Sequence, residues 1–270
     1  MMRERRGDKP KAGDAAAPAD ATPSAQKSTD AVKVRGGKES RQLSTSFSDL
    51  VLAVSCFYVT YELVEMQGRK RFLNPNSHEY AEGLLQHLLV KGEARLYASI
   101  AFLLIGIAAS FGVLRFARVA SAIAPHEFFT NLALFLSTPL LGLCAYTYLP
   151  LTTFNLSRHD FLFFGFLFLL FNFFVFYGLM SSSKQLYTLV TGALAMLAII
   201  YLGILYIVKN PAYTIDGKYL IAGSVLYILS GTVIGSTGHY FGLIPRVDIF
   251  HYALAIANLL IARAYNEIFD

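Results

Sequence analysis

Apolar side chains in this chain come in long, nearly unbroken runs, not in the alternations that mark half-exposed strands or one-sided surface helices. Seven such runs stand out, roughly Phe47 to Met66, Leu96 to Leu114, Glu127 to Leu149, Phe161 to Met180, Leu186 to Val208, Tyr219 to His239 and Ile249 to Tyr265. Each is close to the ~20 residues that a helix needs to cross ~30 Å of hydrocarbon. A lipid core offers backbone groups no hydrogen-bond partner, and the runs lack the alternation and short turns of a barrel, so each is predicted to be a helix. The predicted fold is all-α: a polytopic membrane protein with a seven-transmembrane-helix bundle. Breakers punctuate the runs, with Pro150 after the third, Ser181 to Lys184 after the fourth, Asn210-Pro211 and Asp216-Gly217 before the sixth, and Pro245 before the seventh.

Residues 1–46 are built from Pro, Ala, Ser, Gly, Lys and Asp, with almost no large apolar side chains. Such a segment cannot bury enough surface to offset the entropy of ordering, and it is predicted to be a disordered tail. Arg3, Arg5 and Arg6 are followed by no apolar stretch of the kind a cleaved signal carries, so the first run is expected to direct insertion. Between the first two runs, Tyr80, Leu84, Leu85, Leu88 and Leu89 share one helical stripe beside Glu82, Gln86 and Lys91. That pattern predicts either an interfacial amphipathic helix or an extension of the second span.

Composition sharpens the membrane reading. Hydrophobic residues make up 55% of the 270 and charged residues only 15%, against about 25% charge in a soluble domain. The net charge is +5, yet 10 of the 23 Lys and Arg lie before Ser46 and the others mostly flank the runs. That distribution suits anionic and zwitterionic lipid as partner, with no patch for nucleic acid. Near-membrane positive residues number eight on the N-terminal side and nine on the other, and the remaining tail charges tilt the N-terminus towards the cytosol. Cys56 and Cys144 both fall inside runs, which predicts free thiols. Nothing in the sequence specifies an organelle.

Counting spans places Asp49, Arg115, His126, Glu127, His239, Asp248 and His251 at one end of the bundle. Imidazole and carboxylate together suit zinc or a similar ion, and ligands from several helices can converge in a bundle core. Asp248 and His251, three residues apart, share a helix face. His239 and His251 are the candidate metal ligands, Asp49 and Asp248 the candidate catalytic carboxylates, and Arg115 the candidate contact to a lipid headgroup. The alternative for each is a solvated position in the headgroup layer. Glu62 and Glu65 lie about 20 Å further along the first run and belong elsewhere. Asn172, the polar exception among the phenylalanines of the fourth run, is expected to bond a neighbouring helix, and Gly231 and Gly235 form a G-x-x-x-G packing motif in the sixth.

The seven runs, Ser48-Asp49-Leu50-Val51-Leu52-Ala53 in the first, and Phe241 to Tyr252 leading into the seventh through Pro245, Asp248 and His251 resemble the membrane hydrolase superfamily that includes alkaline ceramidases and progestin and adiponectin receptors. That resemblance implies zinc-dependent hydrolysis of a lipid amide or ester, with Asp248 and His251 as the residues carried over. Ala255, where the superfamily has a second histidine four residues on, and the lack of any S-x-x-x-H depart from its pattern. A non-catalytic membrane scaffold or assembly subunit, its tail docking partners or acidic lipid through Lys33, Arg35, Lys38 and Arg41, is the alternative. A small transporter comes third, since it calls for mid-span ionisable groups and helices broken in paired positions, and only Pro139 in the third run and Gly231 with Gly235 in the sixth answer that description.

Overall fold

In the first helix the polarity is inverted relative to a soluble protein. Leu43, Phe47, Leu50, Val54, Tyr58 and Tyr61 point outward, with Leu43 69% and Phe47 59% exposed, while Ser48 and Asp49 are 0% and 3% exposed. The computed structural model describes residues 42–64, 94–148, 158–178, 184–209, 214–235 and 244–268. The tail to residue 41, the stripe from Tyr80 to Lys91 and His239 lie outside them.

The helices are α1 (Gln42–Val64), α2 (Ala94–Phe116), α3 (Ile123–Tyr146), α4 (Arg158–Gly178), α5 (Lys184–Lys209), α6 (Thr214–Leu229) and α7 (Arg246–Ile268). A 3₁₀ turn, Ala120–Ala122, leads into α3, and a π turn, Ser230–Ile234, extends α6. Six of the helical segments, α4 being the exception, are long and apolar enough to cross a membrane; the apolar part of α4 whose side chains are described, Asp160–Val175, is shorter. These helices fit an integral, multi-pass membrane protein.

α3 is the hub, packing on α2, α4 and α5, while α5 packs on α6 and α6 on α7. α1 closes against α2, where Gly106 faces Cys56, and against α7 through polar contacts. The main core gathers Phe102, Phe135, Leu140, Leu141, Phe173, Ile199, Leu202, Leu220 and Tyr265. Helices approach closely between α3 and α5, where a Cβ on Gly142 would collide with Ala195 Cα, and between α5 and α6, where a Cβ on Gly203 would lie 2.7 Å from the Gly217 carbonyl and one on Gly217 would lie 2.6 Å from the Gly203 carbonyl. Both thiols are buried and free.

Several boundaries differ from the pattern. α1 starts at Gln42, inside the segment predicted to be disordered, because residues 42–46 have partners: Thr45 is buried, the Ser46 hydroxyl donates to the Val113 carbonyl at 3.0 Å, and Ser44 donates to Asp248. α7 starts at Arg246, so Asp248 is in its first turn, where a carboxylate complements the N-terminal end of the helix dipole. Asn172 does not reach another helix; its amide donates to the Phe168 carbonyl, one turn back on α4, at 2.7 Å. Among the described residues Gly231 and Gly235 mediate no close packing, since a Cβ on either would meet nothing within 4 Å.

Arg95, read from the sequence as a flanking charge, is 4% exposed, and its guanidinium donates to the Asn266 carbonyl in the last turn of α7. That carbonyl belongs to the set a helix end leaves without an intrahelical donor, at the negative end of the dipole.

The α2–α3 turn carries the one positive φ outside glycine among the described residues, Arg118 at 70°. Val119 N donates back to the Leu114 carbonyl at 3.0 Å, the long hydrogen bond of a Schellman end, which places Arg118 where glycine is usual. The Arg118 Nε also donates to Gln42 at 3.0 Å. Arg118→Gly and Arg118→Ala both delete that contact, but only glycine relieves the left-handed backbone. The glycine variant is expected to be the more stable of the two by about 1 kcal/mol, read as a higher melting temperature in detergent.

Candidate functional site

Two serines one turn apart, Ser44 and Ser48, share a face of α1, and Asp49 follows directly. Opposite them, α7 presents Asp248 and His251, which are i and i+3 and project to one side. Five polar side chains thereby meet between helices whose outward faces are apolar.

Ser44 donates to Asp248 Oδ2. Ser48 Oγ lies 3.0 Å from Asp248 Oδ1, 3.0 Å from the Thr45 carbonyl and 3.1 Å from His251 Nδ1. His251 Nδ1 is also 3.1 Å from Asp49 Oδ1. The Asp248, Ser48 and Asp49 side chains are almost entirely buried, and that of His251 is 13% exposed. Ser48 and Asp49 approach the same imidazole nitrogen, so the three do not form a serine-hydrolase relay, in which the carboxylate and the hydroxyl take opposite nitrogens.

Room for Asp49 is made by α2. A Cβ on Gly112 would lie 2.8 Å from Asp49 Cγ and closer still to Oδ2. That second oxygen is buried with no hydrogen-bond partner among the described residues.

Beside this cluster stands a second, more exposed group. Arg115 Nη1 lies 2.9 Å from His126 Nδ1 and 3.8 Å from Glu127 Oε1, with the guanidinium 5.8 Å from the Phe116 ring centroid. A guanidinium can only donate, so His126 accepts through Nδ1.

No family model, curated protein or solved structure matches this chain. The site therefore has to be judged on its own geometry.

The sequence placed Asp49, Arg115, Asp248 and His251 at one end of the bundle. The structure brings Asp49 and His251 into direct contact, joins Asp248 to them through Ser48, and sets Arg115 against His126 and Glu127. Among the described residues no three of His, Cys, Asp and Glu are grouped to hold a metal ion, and His239, the other candidate zinc ligand, lies outside them. Both Asp248 oxygens take serine hydroxyls, and His251 Nδ1 faces Asp49 and Ser48.

Ser44 and Ser48 were missed as site residues because they fall where tail meets first run, and isolated hydroxyls carry little signal. Their four-residue spacing ahead of Asp49 was the available clue. Deeper along α7, Tyr227 donates to Asn258, whose amide donates to the Cys56 sulfur at 3.2 Å, a second polar junction between α1, α6 and α7.

Gly112→Ala is expected to force Asp49 out of its seat, at a cost of about 1–3 kcal/mol for overpacking. Gly231→Ala, into open space, is expected to leave stability unchanged or slightly raised. Thermal unfolding of both variants in detergent checks the contrast; equal melting temperatures would mean that Asp49 does not occupy that seat.

Proposed function

We propose that this chain is a seven-span integral membrane protein that hydrolyses a lipid amide or ester at the Asp49–His251 pair. The observation that carries the reading is the 3.1 Å approach of Asp49 Oδ1 to His251 Nδ1. A carboxylate in that position orients the imidazole and stabilises its protonated form, leaving Nε2 to act as general base. Water attacks the acyl carbon as its proton passes to Nε2. The tetrahedral intermediate then collapses, and the imidazolium returns the proton to the departing amine or alkoxide, giving a fatty acid and an amine or alcohol. Arg115, in the more exposed group, contacts the lipid headgroup. The resemblance of the first run and of the segment entering the seventh to membrane hydrolases supports the substrate class, and no step runs through a metal.

A second reading is favoured by a specific observation: Asp248 has both oxygens engaged by α1 serines. On that reading the cluster is a fastening between the first and last helices of a non-catalytic scaffold, with membrane lipid and a protein as partners.

The two readings separate on purified protein incubated with fatty-acyl amides and esters in mixed micelles. Hydrolysis that falls about 100-fold or more in Asp49→Asn and His251→Ala, with wild-type elution profiles, supports the hydrolase. No turnover by the wild type on any acyl lipid, together with lowered melting temperatures in both variants, leaves the scaffold.

The count of seven spans takes α4 as a spanning helix, supported by its 21 residues and by its exposed Phe164, Phe168, Phe171 and Phe174. An odd count puts Gln42 and Glu267 on opposite sides of the membrane, with Gln42 on the cytosolic side. Both native thiols are buried, so single cysteines at these two positions can be probed with an impermeant maleimide in sealed vesicles. Labelling from opposite sides is expected, and labelling from one side would reduce the count to an even number.

A further inference from the structure

The environment of His251 Nδ1 contains more than the proposed reaction uses. The nitrogen has two oxygen neighbours, Asp49 Oδ1 and Ser48 Oγ, each at 3.1 Å. A lone pair on Nδ1 would face the lone pairs of the carboxylate; a proton there makes both contacts favourable. That proton resides on the ring, because the Ser48 hydroxyl directs its own proton to the Thr45 carbonyl or Asp248 Oδ1 and so meets Nδ1 as an acceptor.

Once Nδ1–H is the donor, the role of Ser48 follows. A hydroxyl has one proton to give. Accepting from Nδ1–H leaves that proton for Asp248 Oδ1 or the Thr45 carbonyl, both at 3.0 Å. An ionised carboxylate is the stronger acceptor, and it is held ready by Ser44 on its other oxygen.

We propose that Ser48 is a positioning residue that relays Asp248 to His251, so that two carboxylates, one direct and one through a hydroxyl, hold Nδ1 protonated and leave Nε2 as the basic nitrogen. Asp248 then acts on the imidazole without touching substrate, whereas the sequence offered it as a catalytic carboxylate. This assignment deepens the Asp49–His251 reading and rests on it for its chemical purpose. The proton arrangement itself can be tested without any substrate.

The test uses the full chain in lipid nanodiscs with ¹⁵N-labelled histidine. Two-bond ¹⁵N–¹H correlations distinguish the Nδ1–H from the Nε2–H tautomer, and the signal missing in His251→Gln identifies His251 among the six histidines. In the wild type His251 is expected as the Nδ1–H form at neutral pH. Ser48→Ala is expected to raise the Nε2–H share several-fold, Ser48→Thr to restore the wild-type form, and Asp248→Asn to shift it in the same direction as Ser48→Ala. A Ser48→Ala protein whose other five histidine signals are unchanged and whose His251 remains Nδ1–H overturns the relay. Should Ser48→Ala fail to fold, an unchanged tautomer in folded Asp248→Asn overturns it equally. A tautomer shift in variants of a protein with no hydrolytic activity supports the relay and removes the hydrolase reading; hydrolysis with an unmoved tautomer does the reverse.

Discussion

A polar group buried in an apolar bundle needs a hydrogen-bond partner, and the arrangement of these helices follows from that constraint. Each serine, aspartate or histidine within a span has to find its partner on another helix or on its own backbone. α1 shows the result: its apolar stripe faces outward while Thr45, Ser48 and Asp49 are turned inward to α2 and α7. Ser55 donates to the Leu52 carbonyl of its own helix, and Thr60 to the Cys56 carbonyl, with the Ser99 carbonyl of α2 at 3.5 Å. The cluster of Ser44, Ser48, Asp49, Asp248 and His251 is therefore as much a fastening as a site, since separating α1 from α7 would leave buried polar groups without partners.

The same constraint works at the helix ends and contacts. Arg95 is buried at the start of α2 because the Asn266 carbonyl at the end of α7 lacks an intrahelical donor, and each group answers the other's need. Between helices, close approach is set by small residues: Gly203 against Gly217, Gly106 against Cys56, and Gly112 against the Asp49 carboxylate. The last of these connects packing to chemistry, because the backbone of α2 leaves only enough room for Asp49 to lie beside His251.

Burial makes such a cluster suitable for chemistry for the reason it makes it strong. In a low dielectric, an orienting carboxylate acts on an imidazole with little screening by water. The proposed division of labour places Asp49 in direct contact and Asp248 behind Ser48, with the more exposed Arg115, His126 and Glu127 group towards the membrane surface. A scaffold needs only the fastening, whereas a hydrolase also needs the free imidazole nitrogen to meet water and an acyl group.

The sequence by itself determined the all-helical, multi-pass character and the placement of Asp49, Arg115, Asp248 and His251 at one end, because run length and the alternation of ends are one-dimensional properties. It misjudged Arg95, residues 42–46 and Asn172, each of which depends on what lies across a helix interface or one turn back. Which side chains touch was a matter for tertiary structure alone. Span counting puts polar residues at the same depth, but only the rotation of each helix about its axis decides whether they converge. That rotation is fixed by contacts such as Gly112 against Asp49 and Ser48 against Asp248, which join residues 63 to 200 positions apart in the chain.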